Sequence, residues 1–197
     1  MRVVLATANP DKAAEIVAIL GCVDGIELVA RPAELGEVEE TGTTLVENAL
    51  LKARAVAEAT GLPAVGDDTG LFVDALDGAP GVYSARYAGE HATYADNVAK
   101  LLAALEGVAP PRTARFETAA VLFDPAGRTL EATGVVDGTI GVAPRGTNGF
   151  GYDPVFVPDE AGGRTLAEMA SDDKHAISHR GRAFRALAAA LGDGART

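Results

Sequence analysis

The order of apolar and polar residues along the chain predicts strands and helices that alternate. Short apolar or alternating runs have the length and spacing of strands, and longer stretches repeat apolar residues at helical spacing until Gly or Pro ends them. Strands are predicted at residues 3–6, 26–29, 63–66, 71–73, 114–123 and 128–137. Helices are predicted at residues 11–20, from a cap at Thr43 or Thr44 to about 60, at 93–105 and at 180–191. This interleaving, with a meander in the middle, predicts an α/β fold with a mixed sheet flanked by helices.

Composition and charge narrow the class of protein. The 197 residues are 48% hydrophobic and 23% charged, as in an ordinary globular domain. The net charge of −11 disfavours binding to a nucleic-acid backbone or to an anionic membrane surface. A small anionic ligand would therefore need a metal ion or a few convergent cations.

Cysteine usage and the N-terminal run favour a cytoplasmic protein. Cys22 is the single cysteine, so no intrachain disulfide is expected, as in a reducing compartment. The apolar start imitates a signal peptide, but Asn9 and Pro10 end it too early. No segment approaches the length of about 18 apolar residues that a membrane helix needs.

The first candidate site is the turn at residues 7–12, between a strand and a helix. A helix N-terminus attracts phosphate, Thr7 and Asn9 can donate hydrogen bonds, and Lys12 adds a charge. The alternative is an ordinary capped helix. The glycines of a P-loop are missing.

The second candidate is a polar stripe on the long helix. Thr44, Asn48 and Lys52 are spaced four apart and share one face. Such a stripe is usually solvated. However, only four of the 17 basic residues are lysines, which favours a specific use of Lys52 as a point charge on phosphate.

The third candidate is acidic. Glu39 and Glu40 precede the long helix, and Asp67 and Asp68 lie at a strand end. Neighbours in an extended segment point to opposite sides, so only one of each pair is expected to reach a shared cation. Mg²⁺ is typically bound by one or two carboxylates, with waters and phosphates. Turn capping is the alternative.

Two later segments could bind a planar or anionic ligand. In the loop 149–154, flanking glycines would let Phe150 or Tyr152 stack on a base; the alternative is a turn that anchors core aromatics. Segment 172–181, placed at the start of a helix, concentrates hydrogen-bond donors. His175 and His179 have the spacing of some zinc helices, but no third ligand is apparent.

Together and in this order, these segments resemble the inosine and xanthosine triphosphate pyrophosphatase family, from about residue 2 to residue 190. The matching stretches are Leu5–Asn9 with Lys12, Glu39–Gly42, Glu47–Ala49 with Lys52, Asp67–Leu71, Gly81–Tyr87, Phe150–Pro154 and Ser178–Gly181. The resemblance implies a single domain of an elongated mixed sheet, with two lobes and a central nucleotide cleft. It also implies Mg²⁺, a homodimer, and hydrolysis of ITP, dITP or XTP to the monophosphate and pyrophosphate.

The resemblance also implies roles for individual residues. Mg²⁺ would be held by Glu40 and Asp68, and Asp68 would also be the base for the attacking water, with Thr69 beside it. The triphosphate would be bound by Thr7, Ala8, Asn9, Pro10, Asp11, Lys12 and Lys52. The base would be bound by Phe150, Gly151, Tyr152, Asp153, Lys174, His179 and Arg180. Two departures are mild: Ala8 stands where many relatives have glycine, and Thr69 where serine is frequent.

Hydrogen-bond complementarity suggests how His179 and Arg180 would select a base. Hypoxanthine and xanthine present an acceptor at position 6, whereas adenine presents a donor there. A donor in the site would leave two donors facing each other when adenine enters, at a cost of about 1–3 kcal/mol. Two other functions stay open: a nucleotide sensor without turnover, and a related pyrophosphatase acting on dTTP, UTP or modified pyrimidines.

Overall fold

A computed structural model describes residues 1–21, 23 and 25–193 of the chain. Cys22 lies outside these residues. The strands are β1 (Arg2–Leu5), β2 (Glu27–Val29), β3 (Ala64–Val73), β4 (Pro80–Gly81), β5 (Thr113–Phe123), β6 (Thr129–Ile140) and β7 (Phe156–Pro158). The helices are α1 (Pro10–Leu20), α2 (Leu45–Thr60), α3 (Tyr94–Ala104), α4 (Ser171–Ile177) and α5 (His179–Asp193), with short 3₁₀ turns at Asp74–Leu76, Ser84–Arg86, Asp159–Ala161 and Leu166–Glu168. Among the described residues, none of these helices has both the length and the apolar character needed to cross a membrane.

The strands within the described residues form one seven-stranded sheet in the order β2-β1-β3-β5-β6-β7, with β4 paired to β3. β1 runs parallel to both β2 and β3. β4 is antiparallel to β3, and β7 is antiparallel to β6. The predicted α/β fold with a mixed sheet is therefore confirmed.

The chain divides into two compact units. Unit 1 comprises Met1–Asp68, Thr118–Gly134 and His179–Thr197 as far as it is described, and unit 2 comprises Thr69–Glu117 and Val135–Ser178. The boundaries fall inside β3, β5 and β6, so each of these strands continues from one unit into the other. Each unit has its own apolar core: Ile16 and Phe184 are fully buried in the first, and Leu101 and Phe156 in the second.

Helix α2 begins and ends as its sequence predicts. The Thr44 hydroxyl accepts a hydrogen bond from Glu47 N, and the Glu47 carboxylate accepts one from Thr44 N, which is a capping box. Gly61 ends the helix in the left-handed conformation at φ 68°. The polar stripe of this helix is therefore placed by a well-defined first turn.

Strand β3 presents different chemistry on its two faces. Ala64 packs in a cluster with Val56 and Ala57 of α2, whereas Val65 packs in a separate cluster that includes Ile16 of α1. Side chains alternate along a strand, so Asp68 shares the face of Ala64, and Asp67 shares the face of Val65.

Two predicted elements are wrong. Residues 64–66 and 71–73 belong to one continuous strand, because the aspartates between them are buried and paired with cations instead of forming a turn. The segment 172–181 belongs to two helices, because Ser178 has an extended backbone (φ −64°, ψ 152°) between α4 and α5. His175 and His179 therefore do not share a helix face.

Candidate functional site

The contact between α2 and β3 positions the first group of polar side chains. Gly66 makes a close approach: a Cβ there would collide with the backbone oxygen of Ala49 and would lie 3.0 Å from Ala53 N. The two alanines are themselves fully buried. Small residues on both elements thus bring the polar stripe of α2 against the face of β3 that carries Asp68.

Lys52 joins two acidic segments that are distant in sequence. Its Nζ lies 3.0 Å from Asp68 Oδ1 and 2.9 Å from Glu40 Oε1. Burial alone would lower the pKa of Lys52, but the carboxylates of Asp68, Asp67 and Glu40 outweigh it and raise the pKa. Lys52 is therefore a fixed positive charge at the meeting point of two carboxylates.

Asp68 is a buried carboxylate with only partial compensation of its charge. Asn48 Nδ2 donates to its second oxygen at 3.3 Å, while Asn48 Oδ1 accepts from Gly42 N at 2.8 Å. Burial raises the pKa of Asp68, and Lys52 and Lys12 offset part of that effect. A carboxylate with a raised pKa is better suited to accept a proton near neutral pH than an ordinary one.

Asp67 lies on the opposite face of β3 and pairs with different cations. Its Oδ2 is 3.3 Å from Arg180 Nε and 3.4 Å from Lys12 Nζ, and Arg180 also pairs with Glu15 of α1. Burial would raise the pKa of Asp67, but Lys12, Arg180 and Lys52 hold it well below its usual range. The prediction that the two aspartates face different partners is confirmed.

The carboxylate of Asp67 is not fully satisfied. It is almost completely buried, and its Oδ1 has no hydrogen-bond partner among the described residues. Burial lowers the pKa of Lys12, although Asp67 counteracts that effect. Lys12 is thus held beside the opposite face of the strand from the one that carries Asp68.

The turn at residues 7–12 is a capped helix start with a lysine beside it. Asn9 Oδ1 accepts from Asp11 N at 2.9 Å and from Lys12 N at 3.2 Å, and Thr7 Oγ1 accepts from Asn9 N at 3.2 Å. Ala8, Pro10 and Asp11 are exposed. The cap uses acceptor atoms, so it is compatible with donation by the same side chains to an anion.

His179 and Arg180 begin helix α5 and are both buried. His179 Nδ1 lies 2.8 Å from the Oγ1 of Thr118 on β5. Gly134 of β6 allows the helix to approach the sheet, because a Cβ there would collide with His179 O and Ala183 N. Arg180 is held by ion pairs to the carboxylates of Asp67 and Glu15. His179 and Arg180, the two residues predicted to contact the base, therefore each have a defined partner.

Unit 2 contains a second polar group around the loop at 149–154. Lys174 Nζ donates to Asp153 Oδ2 at 2.6 Å, and both side chains are 5% exposed. Phe150 N donates to the same oxygen at 2.9 Å, and Lys174 Nζ lies 5.0 Å from the centre of the Phe150 ring. Gly149, at φ 71°, leaves room for this pair, since a Cβ would collide with Asp153.

The two aromatic candidates of this loop differ in placement. The Tyr152 ring is buried in the apolar core of unit 2, and its hydroxyl donates to Ser84 O at 2.9 Å. Burial raises the pKa of Tyr152, so the phenol stays a neutral donor. Phe150 is half-buried and contacts the Tyr94 ring, with 5.7 Å between centroids. Of the two, Phe150 is the one partly open to a ligand; Gly151 and Thr69 are also half-buried.

Eight of the sequence-predicted residues therefore gather in three places: Glu40, Lys52 and Asp68 at α2 and β3; Lys12 and Arg180 around Asp67; and Phe150, Asp153 and Lys174 in unit 2. Sequence reasoning gave Asn48 no individual role and did not assign Glu15 or Thr118 to a site. Asn48 lay on the polar stripe and Glu15 follows Lys12 by one helical turn. Thr118 carried no local signal.

The donor set at Lys52 fits a hard divalent cation. Oxygens of Asp68 and Glu40 converge on one ammonium, which shows that these two carboxylates can face a common positive charge. Carboxylate oxygens are the ligands that Mg²⁺ takes in proteins, usually one or two of them. The residues present are thus compatible with a magnesium ion.

The chain is similar in sequence and in fold to known proteins. The model of the Ham1 family matches residues 3–190. The chain is 51% identical over 191 residues to a dITP/XTP pyrophosphatase of Streptomyces coelicolor, with 94% of each chain covered. It is 50% identical over 196 residues to a dITP/XTP pyrophosphatase of Geobacter sulfurreducens, covering 97% of this chain and 96% of that one. The solved structure of a HAM1 protein from Coxiella burnetii is similar at a TM-score of 0.86 and 43% identity, covering 98% of this chain and 99% of that one.

Proposed function

The chain belongs to the Ham1 family, and we propose on that basis that it is an enzyme that hydrolyses the noncanonical purine nucleoside triphosphates ITP, dITP and XTP. Relatives named dITP/XTP pyrophosphatase over nearly the full chain support this substrate class over pyrimidine triphosphates or a sensor without turnover. The observation that carries the proposal is the pairing of Lys52 with the buried carboxylates of Asp68 and Glu40.

The proposed reaction adds water to the α-phosphorus and breaks its bond to the oxygen that bridges to the β-phosphorus. The products are the nucleoside monophosphate and pyrophosphate. Asp68 accepts the proton of the attacking water, and its burial makes it a stronger base than an exposed carboxylate. Positioning and charge stabilisation supply most of the rate enhancement in such substitutions.

Asp68 and Glu40 are proposed to hold Mg²⁺. When bound there, the ion would neutralise charge on the phosphate oxygens. Lys52 stays charged because the neighbouring carboxylates raise its pKa, so it can stabilise the negative charge of the leaving pyrophosphate. Asn48 orients Asp68 through the hydrogen bond to its second oxygen.

The remaining predicted residues are proposed to bind the rest of the nucleotide. The turn from Thr7 to Lys12 combines a helix N-terminus with a lysine, which suits an anion. Phe150 offers a half-buried ring, and the Asp153–Lys174 pair offers fixed hydrogen-bonding groups to a purine. His179 and Arg180 are proposed to contribute donors to the same recognition.

We also propose that the whole chain acts as one pyrophosphatase domain, as a homodimer in the cytoplasm. The family resemblance is what supports the homodimer. Light scattering after size-exclusion chromatography would test it directly, and a mass of one 20.1 kDa chain would contradict it.

The experiment that tests the function is a substrate panel with two product assays. Pyrophosphate and orthophosphate release would be measured from ITP, XTP, GTP, ATP and dTTP, with Mg²⁺ and with EDTA. We expect metal-dependent pyrophosphate release that favours ITP and XTP. Orthophosphate release, a preference for dTTP, or ITP binding without hydrolysis would each contradict the proposal.

A further inference from the structure

A buried hydrogen bond links the predicted base-recognition histidine to a strand residue with no assigned role. Thr118 Oγ1 lies 2.8 Å from His179 Nδ1, and Thr118 and His179 are 0% and 3% exposed. Thr118 lies on β5, 61 residues from His179 in sequence. Only the packing of α5 on the sheet brings the two together.

The packing at this point leaves the imidazole little freedom. Gly134 on β6 lies so close to the first turn of α5 that a Cβ there would meet Arg182 Cβ at 2.9 Å and collide with His179 O. Arg180, the next residue, is held by ion pairs to Asp67 and Glu15. The backbone that carries the ring is therefore closely packed at His179 and Arg180, and the hydroxyl of Thr118 meets one ring nitrogen, Nδ1.

A neutral imidazole carries its proton on one nitrogen only, and a partner that donates a hydrogen bond to one ring nitrogen holds the proton on the other. We propose that Thr118 is a positioning residue that donates its hydroxyl proton to His179 Nδ1 and so holds the ring proton on Nε2. In this tautomer Nε2 is a donor. In the opposite tautomer Nε2 would be an acceptor.

This assignment deepens the proposed function, on which it rests, by giving a physical origin to base selection. A donor at Nε2 suits the 6-oxygen of hypoxanthine or xanthine and opposes the 6-amino group of adenine. Guanine also carries a 6-oxygen, so Thr118 is expected to affect discrimination against ATP and not against GTP. Loss of one such matched hydrogen bond corresponds to a factor of about ten in selectivity.

The primary test is nitrogen-15 NMR of the imidazole side chains in the full-length protein. The chain has three histidines, and the spectrum of a His179→Ala variant identifies the signals of His179. We expect the wild-type ring to be neutral with its proton on Nε2. A proton on Nδ1 would overturn the proposal without any variant being needed.

Thr118→Val and Thr118→Ser form the matched pair, because valine keeps the shape and serine keeps the hydroxyl. In Thr118→Val we expect a changed tautomer population and a fall of about tenfold in the ITP-over-ATP ratio of kcat/KM. Thr118→Ser should keep the wild-type tautomer and the wild-type selectivity ratio. Thr139→Val, a substitution on β6, should change neither quantity. Unchanged tautomer and selectivity in a folded Thr118→Val protein would overturn the role of Thr118.

The two readouts separate this inference from the function on which it rests. The tautomer is measured without substrate. Absence of triphosphate hydrolysis together with an Nε2–H ring that depends on Thr118 would contradict the proposed function alone. Hydrolysis of ITP together with a His179 tautomer that does not depend on Thr118 would contradict the positioning role alone.

Discussion

Lys52 of α2 and Asp68 of β3 form a largely buried ion pair, with Nζ 3.0 Å from Oδ1. The same ammonium contacts Glu40 at 2.9 Å, so one cation organises both carboxylates that are proposed to bind Mg²⁺. This pair exists because α2 packs closely on β3 at Gly66.

Lys52→Met should lower kcat/KM for ITP by at least about 100-fold, because it removes the positive charge that is proposed to stabilise the phosphates. Steady-state pyrophosphate release measures the effect. Lys100→Met is the matched control, since Lys100 is an exposed lysine that donates to Tyr87 O. A loss of less than about threefold in Lys52→Met would contradict the role of the charge.

Asp68→Asn should bind ITP and turn it over at least about 100-fold more slowly, because the amide cannot accept the proton of water. Equilibrium binding and single-turnover rates would be measured on the same preparation. The variant keeps a side chain of the same shape next to Asn48 and Lys52. Turnover close to wild type would exclude Asp68 as the base.

Gly66→Ala should weaken both stability and catalysis, because its Cβ would push α2 away from β3 and separate Lys52 from Asp68. We expect a loss of about 1–3 kcal/mol in the free energy of unfolding, as for other overpacked sites. Urea denaturation and kcat/KM for ITP provide the two measurements. Gly36→Ala is the control, since a Cβ there meets nothing within 4 Å.

Lys174→Met should destabilise the fold by about 3–5 kcal/mol, because it leaves the buried carboxylate of Asp153 without its cation. The double variant Asp153→Asn with Lys174→Met should recover most of this loss, since asparagine is neutral and can still accept from Phe150 N. Urea denaturation of the wild type and both variants tests this. Equal stability of the single and double variants would refute the explanation.

Glu47→Gln should reveal a pH-dependent contribution of the α2 cap. Hydrogen bonds from the side chain and backbone of Thr43, and from Thr44 N, lower the pKa of Glu47. A lowered folded-state pKa stabilises the protein above the unfolded value of about 4.3, and this stabilisation is lost as the pH falls through the lower folded value. The stability gap between wild type and Glu47→Gln should therefore be present at pH 7 and shrink below pH 4.

The same comparison with Glu58→Gln provides a control, because Glu58 is exposed later in the same helix. Thermal unfolding across the pH range is sufficient. A gap for Glu47→Gln that stays constant with pH would show that the ionised carboxylate is not what stabilises the cap.

Local patterns in the sequence determined most of the fold and the separation of the two aspartates. The periodicities of strands and helices follow from backbone geometry, and they placed α2, its cap and both long strands close to their observed bounds. The alternation along a strand also predicted that Asp67 and Asp68 have different partners. These inferences need only residues within about one turn or one strand of each other.

Tertiary structure alone decided which distant groups meet. The continuity of β3 through its aspartates depends on cations from α1, α2 and α5 that sequence order does not bring together. The fold likewise brings the Tyr152 hydroxyl to Ser84 O and the His179 ring to Thr118. Such pairings arise from close packing between elements. The local sequence pattern around each residue would be the same without its partner, so no short-range signal in the sequence predicts the contact.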